Sequence, residues 1–142
     1  MKVSARNQFT GQITAVKTGP VNAEVTLLLP GGDTLVAVVT QGSVDTLGLA
    51  VGGTAIAIVK APWVVVAAGD AGSGPRFSAR NQLAGVVSRV KAGPINAEVA
   101  ITLPGGAVVH AVVTQDAVGE LGLAVGVPAR AVIKASHVIL AA

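Results

Sequence analysis

Along the first half of the chain, apolar positions come in short runs separated by turn signals rather than at helical spacing. Phe9 to Val16 alternates loosely between apolar and polar, Val21 to Leu29 is rich in Val and Leu, and Leu35 to Thr40 follows the turn Pro30-Gly31-Gly32. Loose alternation and β-branched runs bounded by Gly and Pro are strand signatures, so the two runs around the turn predict a hairpin. One segment departs from this. Ser43-Val44-Asp45-Thr46-Leu47 followed by Gly48 reads as a helical turn, with Ser43 as its N-cap and Gly48 as its stop. Thr54 to Lys60 and Trp63 to Ala67 then read as two apolar strands broken at Ala61-Pro62. Five short strands and one helical turn predict an all-β unit, an OB-like Greek-key barrel.

The same pattern then repeats without a gap. Ser4-Ala5-Arg6-Asn7-Gln8 recurs as Ser78-Ala79-Arg80-Asn81-Gln82, and Gly19-Pro20-Val21-Asn22-Ala23-Glu24-Val25 as Gly93-Pro94-Ile95-Asn96-Ala97-Glu98-Val99. Pro30-Gly31-Gly32, Val38-Val39-Thr40-Gln41 and Lys60-Ala61 return as Pro104-Gly105-Gly106, Val112-Val113-Thr114-Gln115 and Lys134-Ala135. In the second copy the helical turn opens at Asp116 or Ala117. A tandem duplication of this kind predicts two five-stranded domains, residues 1–68 and 77–142, joined by a flexible linker over 69–76 that contains Gly69, Gly72, Ser73 and Gly74. Units this small bury only about 60% of their unfolded surface, so the copies are expected to pack against each other or against further chains.

Composition narrows the classes. The chain of 142 residues is 51% apolar and only 12% charged, about half the usual charged share, which again implies hidden surface. With no Cys, disulfides, thiolate metal sites and cysteine nucleophiles are excluded, and two His, His110 and His137, are too few for a histidine-rich metal centre. Mean hydropathy is +0.70, but charges or Gly/Pro turns interrupt every apolar run before a membrane span is reached. The N-terminal residues have no continuous apolar core of a secretory signal, so a cytoplasmic location is the default expectation. The net charge of +3 comes from scattered residues, too diffuse for a polyanion track.

The polar residues kept in both copies are the candidates for chemistry. Ser4, Arg6, Asn7, Gln8, Thr40, Gln41 and Lys60, with their second-copy partners, are neither turn nor core by type. No Asp or Glu lies inside these motifs, and a set of donors without an acceptor suits an anion. Hydrogen phosphate rewards an acceptor in its pocket, whereas a dianion such as molybdate, tungstate or sulfate needs donors alone. The same residues also read as solvated charges and turn caps. Glu24 and Glu98 read as hairpin salt-bridge partners of Lys17 and Lys91, and Trp63 as a packing residue.

Taken together, Ser4 to Gln8, Gly19 to Val25, Val38 to Gln41, Leu47 to Leu49 and Lys60 to Trp63 resemble the molbindin, Mop or TOBE-type domain, and two tandem copies resemble a di-Mop molbindin. The resemblance implies molybdate, and by extension tungstate, binding and storage by a non-enzymatic homotrimer, with no nucleic acid or membrane as partner and no cofactor. The anion is held by hydrogen bonds without direct metal coordination. Carried over by motif, Ser4, Arg6, Thr40, Ser43, Lys60 and the Ala61 amide form one interface set; Ser78, Arg80, Thr114, Lys134 and the Ala135 amide form the other, and one pocket is expected to mix the two. Ala117 replaces Ser43 in the second copy, so the two pocket types would differ in affinity. The resemblance also implies axial sites at Gly19, Val21 and Asn22 and at Gly93, Ile95 and Asn96. An OB-type nucleic-acid binder or a ligand-free assembly module is the alternative, although Phe9, Trp63 and Phe77 are the only aromatics for base stacking.

Overall fold

The computed structural model describes residues 1–142 and contains ten strands. They are β1 (Asn7–Thr18), β2 (Asn22–Leu28), β3 (Thr34–Thr40), β4 (Thr54–Val59) and β5 (Val65–Ala68), then β6 (Asn81–Lys91), β7 (Asn96–Thr102), β8 (Val108–Thr114), β9 (Pro128–Ile133) and β10 (Ile139–Ala141). Two short helices, α1 (Gln41–Leu47) and α2 (Gln115–Leu121), follow β3 and β8, and one-turn 3-10 segments occupy Ala61–Trp63 and Ala135–His137. The expected five strands per repeat are all present. In β1 the alternation is clean: Asn7, Phe9, Gly11 and Ile13 point inward and their neighbours face out.

The strands form two antiparallel five-stranded sheets whose composition the repeat alone does not reveal. The first has the order β10-β4-β1-β2-β3 and the second β5-β9-β6-β7-β8. Each sheet therefore takes its fifth strand from the other repeat: Ile139 pairs with Ile58 at the edge of the first, and Val65 with Val132 at the edge of the second. The repeats are units of sequence, whereas the first sheet draws on residues 7–59 and 139–141 and the second on 65–133. Copies of the same pattern make such an exchange inexpensive, because a fifth strand finds an equivalent edge in either sheet. The chain crosses after β4 and β9 through equivalent 3-10 turns, Ala61-Pro62-Trp63 and Ala135-Ser136-His137.

A single cluster of 29 buried apolar residues runs through both repeats, so the two copies share one core rather than being independent beads on a linker. Ile13, Leu27 and Leu35 from the first repeat and Ile101 and Ile133 from the second are fully enclosed, each contributing about 1.5–3 kcal/mol. The two Pro-Gly-Gly turns dock on one another. A Cβ on Gly31, which has φ +94°, would collide with the Gly105 carbonyl, and the Gly105 amide donates to the Asp33 carboxylate at 3.0 Å.

The helices correct the expected cap. Thr40, not Ser43, is the N-cap of α1: its hydroxyl oxygen accepts from the Ser43 amide at 3.0 Å. Thr114 does the same for the Ala117 amide in α2 at 3.1 Å. The helix thus begins immediately after the strand. Gly48 and Gly122 end the helices in the left-handed conformation, with φ of 64° and 62°, as a C-terminal Gly should.

Candidate functional site

The five residues Ser4 to Gln8 separate by direction. Asn7 is buried and bridges to the other repeat, donating to the His110 carbonyl at 2.8 Å and accepting from the His110 amide at 2.7 Å. Asn81 does the same to Val36 of β3, both bonds at 2.7 Å. A side-chain amide presents an N–H and a carbonyl oxygen side by side, as a strand edge does, so each asparagine mimics a strand pair. Gln8 turns back and donates to the Ala5 carbonyl at 3.0 Å, and Gln82 to that of Ala79 at 3.1 Å, which shapes the loop before each long strand. Ser4 and Arg6, and Ser78 and Arg80, are left exposed.

Lys60 follows the last register pair of β1 with β4, Asn7 with Val59, so Arg6 and Lys60 leave the sheet side by side. The crossover turn Ala61–Trp63 packs against β8, the strand that ends at Thr114, and its counterpart Ala135–His137 packs against β3, which ends at Thr40. Arg6 reaches Glu98 of the second repeat and Arg80 reaches Glu24 of the first, so each arginine loop borders both repeats. The Thr40 hydroxyl also lies 2.8 Å from that of Ser43; the second repeat has no such pair, because Ala117 stands at that position.

The acids are where sequence reading goes wrong. Lys17 faces Glu24 and Lys91 faces Glu98 in strand register, yet both carboxylates bond to arginines of the opposite repeat instead. Arg6 engages Glu98 with both terminal nitrogens, at 2.7 and 3.2 Å, and Arg80 engages Glu24 at 2.5 Å. A guanidinium fork fits a carboxylate better than an ammonium does, and both lysines remain exposed. No acid lies within the motifs, but the fold brings one to each arginine. The donor-only argument for a dianion over hydrogen phosphate therefore fails at these sites.

Beside Glu98 lies His110, whose Nδ1 is 3.5 Å from the Glu98 Oε1 and is buried without a hydrogen-bond partner. Burial, reinforced by the charge of Arg6, lowers the His110 pKa below the ordinary histidine value; Glu98 opposes and Arg89 adds to the lowering. Val36 occupies this place in the first repeat. Trp63 stacks at a tilt on His137, ring centres 5.6 Å apart, so the two crossover turns also touch. No three His, Cys, Asp or Glu side chains converge as a metal site would require.

The residues expected at axial sites form the tight β1–β2 and β6–β7 turns. A Cβ on Gly19 would sit 2.7 Å from the Asn22 carbonyl oxygen, which explains the glycine. Lys17, Gly19, Asn22 and Glu24 line an open cleft of about 270 Å³, and Lys91, Gly93, Asn96 and Glu98 its twin of about 250 Å³. Val21 and Ile95 point into solvent, 71% and 76% exposed, with their carbonyls bound by the Gln41 and Gln115 amides.

Residues 3–66 and 78–140 each match the model of the TOBE domain. The chain belongs to the TOBE domain family. Its TOBE pair is 47% identical over 141 residues to the molybdenum transport protein ModE of Herbaspirillum seropedicae, covering 99% of this chain and 52% of that one. It is 45% identical to the molybdenum-pterin-binding protein MopA of Rhodobacter capsulatus, again over 99% of this chain and 52% of the relative. The chain thus spans about half the length of these relatives. Among solved structures, the cytoplasmic molybdate-binding protein ModG with molybdate bound superposes with a TM-score of 0.93 at 54% identity, covering 99% of this chain and 98% of that one. The all-β fold expected from the sequence, five strands and a short helix per repeat, is the fold observed, in two five-stranded sheets that exchange their last strands.

Proposed function

We propose that this TOBE pair binds and stores molybdate, with tungstate as a second ligand, in the cytoplasm and without catalysing a reaction. The observation that carries the reading is the near-complete match to a molybdate-bound structure at 54% identity, joined to two clusters of Ser, Arg, Lys and a main-chain amide that recur in both repeats. Charge-assisted hydrogen bonds contribute about 1.5–3 kcal/mol each, so three to five of them reach the roughly 8 kcal/mol of micromolar binding. Ser4, Arg6, Lys60 and the Ala61 amide serve one site with Thr114; Ser78, Arg80, Lys134 and the Ala135 amide serve the other with Thr40 and Ser43. The clefts at Gly19 to Asn22 and Gly93 to Asn96 serve as secondary, axial sites.

The functional assembly is a homotrimer. Apolar residues stand exposed at matching places in both repeats, Val51 and Val125 at 66% and 69% and Val65 and Ile139 at 57% and 50%, and such repeated patches mark contact surfaces. A second reading follows from the relatives that are twice as long: the pair is also suited to be the molybdate-sensing part of a larger regulator. Nucleic-acid binding by the pair itself is disfavoured, since Phe9 is buried and Phe77 lies 5.5 Å from the Arg130 guanidinium, leaving Trp63 for stacking. Equilibrium dialysis against molybdate, sulfate and phosphate tests the reading. It predicts molybdate uptake at micromolar concentration in preference to the other two, and no uptake at tens of micromolar would refute it.

A further inference from the structure

We propose that Glu98 and Glu24 set the affinity of the two anion sites by competing with the oxyanion for the arginine forks, and that His110 makes the two sites unequal. This rests on the anion-binding reading above. The arrangement is reciprocal: an arginine from the loop before β1 or β6 reaches a glutamate on β7 or β2 of the opposite repeat. The arginine side chains are 51% and 55% exposed and the glutamates 23% and 28%, so each carboxylate is held against the protein while its guanidinium stays open to an anion from solvent. A carboxylate presents the same acceptor geometry to a guanidinium as an oxyanion edge does. With Glu98 in place, Arg6 and Lys60 offer a dianion one net positive charge instead of two.

His110 breaks the symmetry. The groups that face it are Glu98 from β7, Arg6 from the loop before β1 and Arg89 from β6, and its unpartnered Nδ1 lies 3.5 Å from Glu98. When an anion takes Arg6, the displaced Glu98 gains the imidazole N–H as a second partner. Glu24 has none, because Val36 stands where His110 does. His110 therefore lowers the cost of displacing Glu98 from Arg6 relative to that of displacing Glu24 from Arg80.

Calorimetric titration of the full chain with sodium molybdate at constant pH and salt tests this, using wild type, E98Q, E24Q, H110V and the double variant E98Q/H110V. Each glutamine variant is expected to tighten one class of site about tenfold, a change of about 1.4 kcal/mol, with the number of anions bound unchanged. H110V is expected to weaken the class that E98Q tightens and to have no effect once Glu98 is gone. Wild-type binding with unchanged or weaker affinity in both glutamine variants would overturn the proposal and make the carboxylates arginine-positioning groups instead. Equal loss on H110V with and without Glu98 would overturn the role of His110. Failure of the wild type to bind is a separate result that removes the functional reading itself. If a glutamine variant melts early by circular dichroism, E98D and E24D decide the matter, since a carboxylate withdrawn by one methylene must also tighten binding.

Discussion

Within Ser4 to Gln8, direction decides role: two side chains build the protein and two face outward. Replacing Asn7 by Ala leaves the His110 amide and carbonyl without partners, and an unsatisfied buried group costs about 1–3 kcal/mol. Asn7→Ala and Asn81→Ala are each expected to lower unfolding stability by about 2–3 kcal/mol in urea titrations, far more than Arg6→Ala. Arg6→Ala with Arg80→Ala, by contrast, should leave the melting transition nearly unchanged and reduce the number of molybdate ions bound. Binding at wild-type stoichiometry in that double variant would refute the site assignment. His110 supplies a pH signature. Its folded pKa is lowered, so below the ordinary value of about 6.5 the unfolded chain takes up the proton first and stability falls with falling pH. Above that value the contribution is constant. Thermal melts from pH 8 to 5 should show this decline in wild type and a shallower one in H110V.

At the scale of elements, what the sequence made legible was local. Strand positions followed from apolar runs and Pro-Gly-Gly turns, and Gly48 and Gly122 marked where the helices stop. The N-cap was misplaced because Ser43 and Thr40 both suit the position, and only the strand end before Gln41 decides between them. Thr40→Val and Thr114→Val should each cost about 1 kcal/mol, measurable by chemical denaturation. The strand exchange was not legible, since β5 and β10 carry the same pattern whichever sheet receives them. The Arg–Glu pairs were hidden for the same reason: Lys17 and Lys91 are close in sequence, whereas Arg80 and Arg6 reach Glu24 and Glu98 only once the sheets face each other. The one available signal was that both acids persist in both copies.

For the whole molecule, the exchange turns a tandem repeat into one folded body. Residues 1–68 alone lack β10 for their sheet and place β5 on a sheet they do not have. They are expected to be unfolded or to self-associate, so a cooperative monomer by sedimentation at micromolar concentration would contradict the exchange. Among the scattered charges of this apolar chain, Arg6, Lys60, Arg80 and Lys134 recur at matching places in both repeats, and the proposed anion sites lie there. Anomalous diffraction at the molybdenum edge, from crystals grown with molybdate, measures this directly. Peaks are expected within hydrogen-bonding distance of the Arg6–Lys60 and Arg80–Lys134 clusters; crystals showing molybdenum only elsewhere, or none at all, would overturn this placement of the sites.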